Sequence, residues 1–472
     1  MSSFSGLNTA LSSLIAQRQA LEVAGQNIAN ANTVGYTRQR ATLASVEALS
    51  SPSMFSAGLT TGNGTSVTSI ARLGDIFLDA RVRSETGGAA SAATKADAYA
   101  RLESTIAEPG ELGVSDALQK FWGAWEQVGL HPDSAAVRNV LLETSKALTQ
   151  RISAGHAAVT TQWAQTRTEL NAAVVDVNSS AQMVAGLNQS IRGVLVSGGS
   201  ANELIDQRNL LITGLSALVG ASAVERPDGT VDVLVGGNAL VRGDTAHSIE
   251  VNADSLTMGS EIKLSWGGTA TPLGAQTGTI VSMATVLAPA DTPPKRGGTL
   301  AEAAAGYDAL ASNLIKSVND KHATAFTTTG AGGGDFFTAT TVGSSAAATL
   351  SVAITDGALI AVAKDGTGHL DGSMGDAMAQ LAKASGSPDS QWSAFVTDIG
   401  VSSRSATQHA TITEATRSTA EKLQMSNASV DIDEESVNML AYQRAYEGAA
   451  RVLTTIDSML DTLINRTGLV GR

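Results

Sequence analysis

The sequence predicts a mixed fold, mainly α with a β insertion, in which the two ends of the chain pair with each other. Three observations carry that prediction. Residues 1–32 and 431–466 are long, proline-free stretches with apolar residues three and four apart, the pattern of coiled-coil helices. Residues from about 88 to 220 repeat apolar residues with a helical period, as in Trp163, Leu170, Val174, Val177, Ala181 and Val184. From about residue 221 to 290, and again after 330, short runs rich in Thr, Val and Gly alternate as strands do.

The first terminal stretch carries its seam through Phe4, Leu7, Leu11, Leu14, Leu21 and Ile28, with Arg18 and Gly25 at heptad positions between them. The last carries it through Met439, Tyr442, Tyr446, Ala449, Leu453, Ile456, Leu460 and Leu463. A helix apolar along one stripe must bury that stripe, and these are the sustained heptads that reach the termini. Each is therefore the expected partner of the other, which closes the molecule into a hairpin with residues 40–430 inserted. Polar seam positions cost stability and fix register. Such a pair either forms within one chain or orders fully when neighbouring subunits cover it. We expect the second, with termini that fold on assembly.

After the first helix comes Asn27-Ile28-Ala29-Asn30-Ala31-Asn32-Thr33-Val34-Gly35-Tyr36-Thr37-Arg38-Gln39. Asn and Thr at this density compete for backbone hydrogen bonds, and Gly35 tolerates a positive φ, so the helix stops and the chain turns. Pro52, Gly58, Gly62 and Gly64 then mark a flexible crossing into the helical body. Within that body, Pro109-Gly110 and His131-Pro132-Asp133 are turns between helices. The stretch Asn202–Leu211 runs on into Leu218-Val219-Gly220.

Arg226-Pro227-Asp228-Gly229 is a hairpin signal, because Asp-Gly tolerates the φ that such a turn needs, and β structure is expected from there to about residue 290. Thr292-Pro293-Pro294 is a boundary before a helix from Leu300 to His322. Ala331-Gly332-Gly333-Gly334 leads into a second β stretch, and helix returns near Trp392 with one break at 427–431. Asp431 caps the last helix, and Glu434 is expected to reach back to the cap's own amide. The acids Asp431, Asp433, Glu434 and Glu435 lack the glycine turn and alternating ligands of a calcium loop.

The length, 472 residues, exceeds what one core covers and gives about three domains. We expect a terminal coiled-coil domain (1–45 with 428–472), a helical-bundle inner domain (46–220 with 298–325 and 386–427) and a β-rich outer domain (221–297 with 326–385). Cysteine is absent from the sequence, which excludes disulfides and thiolate metal sites. The net charge of −13 argues against a nucleic-acid partner.

The amino terminus lacks a basic region and an apolar core before a cleavage site, its first cation being Arg18, and nowhere does the chain reach a membrane-spanning run. Taken alone, this describes a cytoplasmic chain. His131, His156, His247, His322, His369 and His409 have no metal spacing, and the HExxH, GxxxxGK[ST] and GxSxG motifs do not occur. His322, at a helix end, is expected to meet carbonyls. No enzyme activity, cofactor or metal is expected.

The run Asn30-x-x-Thr33-x-Gly35-Tyr36-x-Arg38 resembles the amino-terminal signature shared by the rod, hook and hook-associated proteins of the bacterial flagellum. The tail, ASVDIDEESVNMLAYQRAYEGAARVLTTIDSMLDTL, resembles their carboxy-terminal signature. Within that family, the helical body and the order of helix, Leu-Val-Gly cap and β-hairpin resemble the hook-associated branch, whereas hook and rod proteins pass into β structure soon after the junction. The resemblance implies a structural adaptor at the hook-filament junction, needed for filament assembly and motility. It also implies secretion through the flagellum's own export channel without a cleaved signal. The implied partners are the hook protein, a second junction protein, copies of itself in a helical ring and an export chaperone. The competing readings are a hook or rod subunit, a secreted coiled-coil surface protein and a hydrolase carried on the β insert.

Overall fold

A computed structural model of the chain describes residues 3–47, 62–252, 257–291, 297–340, 345–366 and 370–466. Helix α1 (Ser3–Ala29) leads into an antiparallel pair, β1 (Gln39–Ser45) and β2 (Thr65–Arg72), whose register shifts between Thr42 and Leu43. The sequence indicated a plain crossing here. Val67 and Ile70 instead pack with Ala41 against Ala20 and Val23 of α1, so the hairpin covers one side of that helix. Pro52 and Gly58 lie outside the described residues, as do the Thr292-Pro293-Pro294 boundary and His369.

The helical body follows. Helix α2 (Ile76–Ile106) starts at Asp75, whose side chain accepts from the amides of Phe77 and Leu78. Helices α3 (Val114–Leu130), α4 (Ala135–Val196) and α5 (Asn202–Val219) come next. On α3 the buried residues Leu118, Phe121, Trp122, Trp125 and Val128 form one face. They meet α4, where Leu141, Leu148, Ile152, Val159, Leu170 and Val177 are fully buried at near-heptad intervals. Each such side chain contributes about 1.5–3 kcal/mol by leaving water. Helix α5 ends at Gly220 with a left-handed φ of 65°, the cap expected from Leu-Val-Gly.

The expected hairpin at Arg226–Gly229 forms. β3 (Ser222–Glu225), β4 (Val231–Val235), β5 (Asn238–Arg242) and β6 (Thr245–Ala246) make an antiparallel sheet in sequence order, and β7 (Ile249–Val251) pairs with β8 (Leu264–Trp266). Val231, Val233 and Val235 alternate inward. Asn188 of α4 anchors the sheet, donating to the carbonyls of Val231 (2.8 Å) and Gly243 (2.6 Å) and accepting from the Val231 amide.

Two β expectations are corrected. Thr279–Leu287 is helix α6, not strand: its run of apolar and β-branched residues does not distinguish the two by periodicity, and packing of Ile280, Val286 and Leu287 into the core favours the helix. The second β stretch holds only β9 (Phe337–Thr338) paired with β10 (Ser351–Val352) among its described residues; short helices α8 (Ala346–Thr349) and α9 (Ser373–Ala379) and loops fill the rest. Ahead of it, α7 (Thr299–His322) supplies Leu300, Tyr307, Leu310, Leu314 and Val318 to the core.

Helix α10 (Pro388–Ala428) runs antiparallel to α2, with Ser403 bonded to Glu103 and Gln424 to Asp79. After a break at Ser429–Asp431 comes α11 (Ile432–Asp461). It lies antiparallel along α1: Gly6 sits against Ile456, and Asn27 against Glu435.

Candidate functional site

The junction segment and the start of α11 meet in a buried polar joint. Asn27, in the last turn of α1, is 1% exposed. Its side-chain oxygen accepts from the Tyr36 hydroxyl and the Gln39 amide, both at 2.9 Å. Its amide nitrogen donates to the Gln39 carbonyl (2.8 Å) and to Glu435 Oε2 (3.1 Å). The four bonds exhaust what an asparagine side chain offers. The turn is held locally by the Thr33 hydroxyl on Asn30 Oδ1 (3.2 Å) and the Tyr36 amide on the Thr33 carbonyl (3.1 Å). Gly35 makes it possible, with a φ of 80° beside Leu210.

Arg38 joins the two ends of the chain. Its Nε donates to Glu435 Oε1 (2.7 Å), its Nη1 to Glu434 Oε2 (2.8 Å), and its backbone amide to the Ala428 carbonyl (2.9 Å). Burial lowers the guanidinium's pKa, and the bonds to Glu434 and Glu435 more than reverse this, holding it above the ordinary arginine value. Asp431 caps α11 as expected, accepting from the amides of Asp433 and Glu434. Glu434 does not reach back to the cap amide. Its carboxylate turns to Arg38, where a charge-assisted bond is stronger than one to a neutral amide.

A second set of bonds ties this joint to α5. Asp206 accepts from the Thr37 amide (3.1 Å) and from Arg72 Nε (2.8 Å), and Arg72 also donates to the Thr37 hydroxyl. Asn202 donates to Gln39 Oε1 and the Ile70 carbonyl, and Gln39 donates to Glu203. The Tyr36 hydroxyl is pushed up to about 12 by burial and then by the carboxylates of Glu203, Asp206 and Glu435. It remains a donor to Asn27 throughout the neutral range.

Asn30, Thr33, Gly35, Tyr36 and Arg38 are thus brought together in one turn, while the seam residues sort differently from expectation. On α1 the fully buried stripe is Ala10, Ala16, Ala20, Val23, Ala24 and Asn27. Leu7, Leu14, Leu21 and Ile28 are half-buried beside it, Leu11 is exposed, and the side chain of Phe4 lies outside the description. Alanines take the centre because α1 is packed by α11 on one side and the hairpin on the other, and small residues permit both close approaches. Gly25 faces out, with nothing within 4 Å of the place a Cβ would occupy. On α11, Met439, Tyr442, Leu453, Ile456 and Leu460 are half-buried, and Tyr446 and Leu463 are exposed.

Sequence reasoning missed Asn27, Asn202 and Asp206, and read Glu435 only as part of a charged cap. Asn27 had a usable signal, since it falls on the same helical face as Ala20 and Ala24. Among the described residues no group of His, Asp and Glu could hold a metal, and no helix is long and apolar enough to cross a membrane.

Three family models match the chain. Residues 7–37 match "Flagella basal body rod protein", residues 423–466 match "Flagellar basal body rod FlgEFG protein C-terminal", and residues 99–337, half of the chain, match "Flagellar hook-associated protein FlgK helical domain". The flagellar hook-associated protein 1 of Bacillus subtilis (strain 168) is 30% identical over the whole of both chains. This chain belongs to the flagellar hook-associated protein 1 family. That of Escherichia coli (strain K12) is 26% identical over 97% of this chain and 99% of its own. The structure titled "flagellar hook junction protein FlgK from Burkholderia pseudomallei" superposes with a TM-score of 0.59 at 15% identity, covering 74% of this chain and all of that one, and so shares the fold. The hook-associated protein 1 family is one of flagellar structural proteins, and the joint described here combines its amino-terminal turn with its carboxy-terminal helix.

Proposed function

We propose that this chain forms the junction between hook and filament, a non-enzymatic adaptor on which filament assembly and motility depend. The observation that carries the reading is a terminal helix pair fixed to the body at one end yet left largely uncovered. On α11 only Glu435 is buried among the described residues, while Val437 is 66% and Met459 58% exposed. Apolar side chains in that position favour cover from other subunits.

In this reading α1 and α11 pack in an inner layer, the helical body surrounds them, and the β insertion lies outside. The seam residues of both helices and the junction turn serve assembly. Copies of the chain repeat around a helical lattice, with hook protein on one side and a second junction protein on the other. The subunit travels through the flagellar export channel with the help of a chaperone, its terminal pair ordering fully on assembly.

Electron microscopy of a strain lacking the gene, with an assay for flagellin in the medium, tests this. Intact hooks without filaments and flagellin lost as monomer are expected. Missing hooks would make it a hook or rod subunit, and normal filaments would remove the junction role.

A further inference from the structure

Helix α7 ends in a histidine that takes no part in the joint. His322 is 0% exposed; its Nδ1 lies 2.6 Å from the Gly334 carbonyl oxygen and its Nε2 lies 2.9 Å from the Ala361 amide nitrogen. A carbonyl can only accept and an amide N–H can only donate. The geometry therefore assigns the neutral ring, with its proton on Nδ1 and its lone pair on Nε2. Sequence reasoning expected carbonyl contacts alone; one of the two partners is instead a donor.

The two partners belong to different loops, and those loops are bonded to each other. The Phe326 amide donates to the Ala363 carbonyl (2.8 Å) and the Val362 amide to the Phe326 carbonyl (3.0 Å), while within the first loop the Gly333 amide donates to the Ala325 carbonyl (2.8 Å). Ala325, Ala361 and Met374 form a small apolar cluster separate from the main core. The histidine lies where this unit meets the body, with Trp125 of α3 and Phe336 edge-on to its ring at centroid distances of 6.2 and 5.6 Å. A second proton, on Nε2, would point at the Ala361 N–H, donor against donor, amid aromatic carbon.

We propose that His322 is an acid-sensitive latch: neutral, it clamps the loops 323–336 and 357–363 to the end of α7, and protonated, it lets them go. Burial pushes the ring's pKa below the ordinary imidazole value, while the Gly334 carbonyl and Asp335 act the other way. The charged groups on the other packed segments, Glu126 on α3, Lys364 after Ala361 and Asp376 on α9, are exposed, and Lys321 beside it on α7 is half-exposed. The released state binds a proton more readily than the latched one. Latching is therefore at full strength above the ordinary imidazole value, about 6.5, and weakens as pH falls below it.

Hydrogen exchange of the full chain at pH 7.5 and 5.0, corrected for intrinsic rates, tests this alongside ring-nitrogen NMR of histidine-labelled protein. We expect a neutral Nδ1–H tautomer at pH 7.5. At pH 5.0 exchange in both loops should be faster relative to α4 than at pH 7.5, by up to about thirtyfold, the limit set by about 1.5 pH units below the ordinary imidazole value. His322→Phe fills the aromatic slot and cannot titrate, so its loops should exchange fast at both pH values. An Nε2–H tautomer, loops whose exchange stays in step with α4 when the ring protonates, or a Phe variant that keeps the wild-type pH dependence would each overturn the latch. If the variant does not fold, the wild-type tautomer and exchange decide the question alone.

Discussion

Asn27 donates to Glu435, 408 positions away in the sequence, at 3.1 Å in a buried setting. The same carboxylate takes the Arg38 guanidinium, so one side chain of α11 fixes both the end of α1 and the turn that follows it. The register set there persists to the far end of the pair, where Gly6 meets Ile456 at the same offset along both helices.

Glu435→Ala should therefore loosen both ends of the chain together. It leaves the buried Asn27 amide with one of its two acceptors, the Gln39 carbonyl, and Arg38, 20% exposed, with only Glu434. A hydrogen bond to a charged group is worth about 1.5–3 kcal/mol, and solvent near Arg38 places the loss near 2. Limited proteolysis should trim α1 and α11 at matched, faster rates while α3 and α4 resist. Glu435→Gln, which keeps an acceptor for Asn27, should fall between the two. Termini of the Ala variant that survive as long as those of the wild type would mean that the joint does not hold the pair.

Tyr36 gives the joint an alkaline signature. Its hydroxyl is pushed up to about 12, and that of Tyr307 is raised as well, first by burial in both cases. Because the folded state holds these protons more tightly, their contribution is present below the ordinary tyrosine value and is lost as pH rises through it toward 12. Tyr36 and Tyr307 should then ionise later in the native protein than they do on unfolding. Absorbance titration should show one late group fewer in Tyr36→Phe, and an unchanged titration would place the hydroxyl elsewhere than on Asn27.

How much of this was legible in the sequence varied with the kind of signal. The string of helices between about 88 and 220, the helix that returns near Trp392, the Asp228-Gly229 turn and the Asp431 cap follow from local rules of period and φ, and they formed. Thr279–Leu287 was misread because a nine-residue stretch rich in Thr, Val and Ile is too short to separate helix from strand, and its helix is decided by packing. The joint was legible by half. Gly35 and Arg38 stand in a recognisable motif, but Glu435, which accepts from Arg38, and Asp206, which accepts from the Thr37 amide, lie far away along the chain, and nothing local marks them as acceptors. The α1 seam was misplaced because leucines draw the eye, whereas a helix packed on two sides puts its alanines at the centre.

Arg208 is a buried cation with no carboxylate in hydrogen-bond contact among the described residues. It is 2% exposed, and its Nη1 donates to Asn188 Oδ1 (3.1 Å) and the Gly229 carbonyl (2.8 Å), which ties α5 to α4 and the first β turn. Burial lowers its pKa to about 10, with Glu225 opposing and Arg72 and Arg83 adding to the effect. Arg208→Met removes the charge but strands the Gly229 carbonyl, for a loss of about 1–3 kcal/mol. Arg208→Lys should be worse at pH 7, since it keeps a charge in the same place on a more strongly hydrated ammonium. A buried lysine has a depressed pKa, so its folded state sheds the proton first and stability recovers as pH rises toward the ordinary lysine value. Urea unfolding at pH 7 and 9.5 should show that recovery for the Lys variant and not for Met. Equal pH behaviour of the two would mean that position 208 does not keep its charge out of water.

Two helical glycines separate the stability of the isolated chain from assembly. Gly25 on α1 and Gly448 on α11 both have open space where a Cβ would stand, so none of the described residues requires them. An interior helical glycine costs about 0.8–1 kcal/mol relative to alanine. Gly25→Ala and Gly448→Ala should each raise the melting temperature or slow proteolysis of the termini in the purified protein. Gly448 shares the outward face of α11 with Val437, Ala441, Val452 and Met459, at steps of four and seven residues, and three of these four are large apolar side chains in water. If a neighbouring subunit's helix crosses there, a methyl group at 448 keeps it away. Gly448→Ala should then yield cells with fewer filaments although the monomer is more stable, and Gly448→Leu should abolish them. Filaments of normal number and length on Gly448→Leu cells would show that this face is not covered in the assembly.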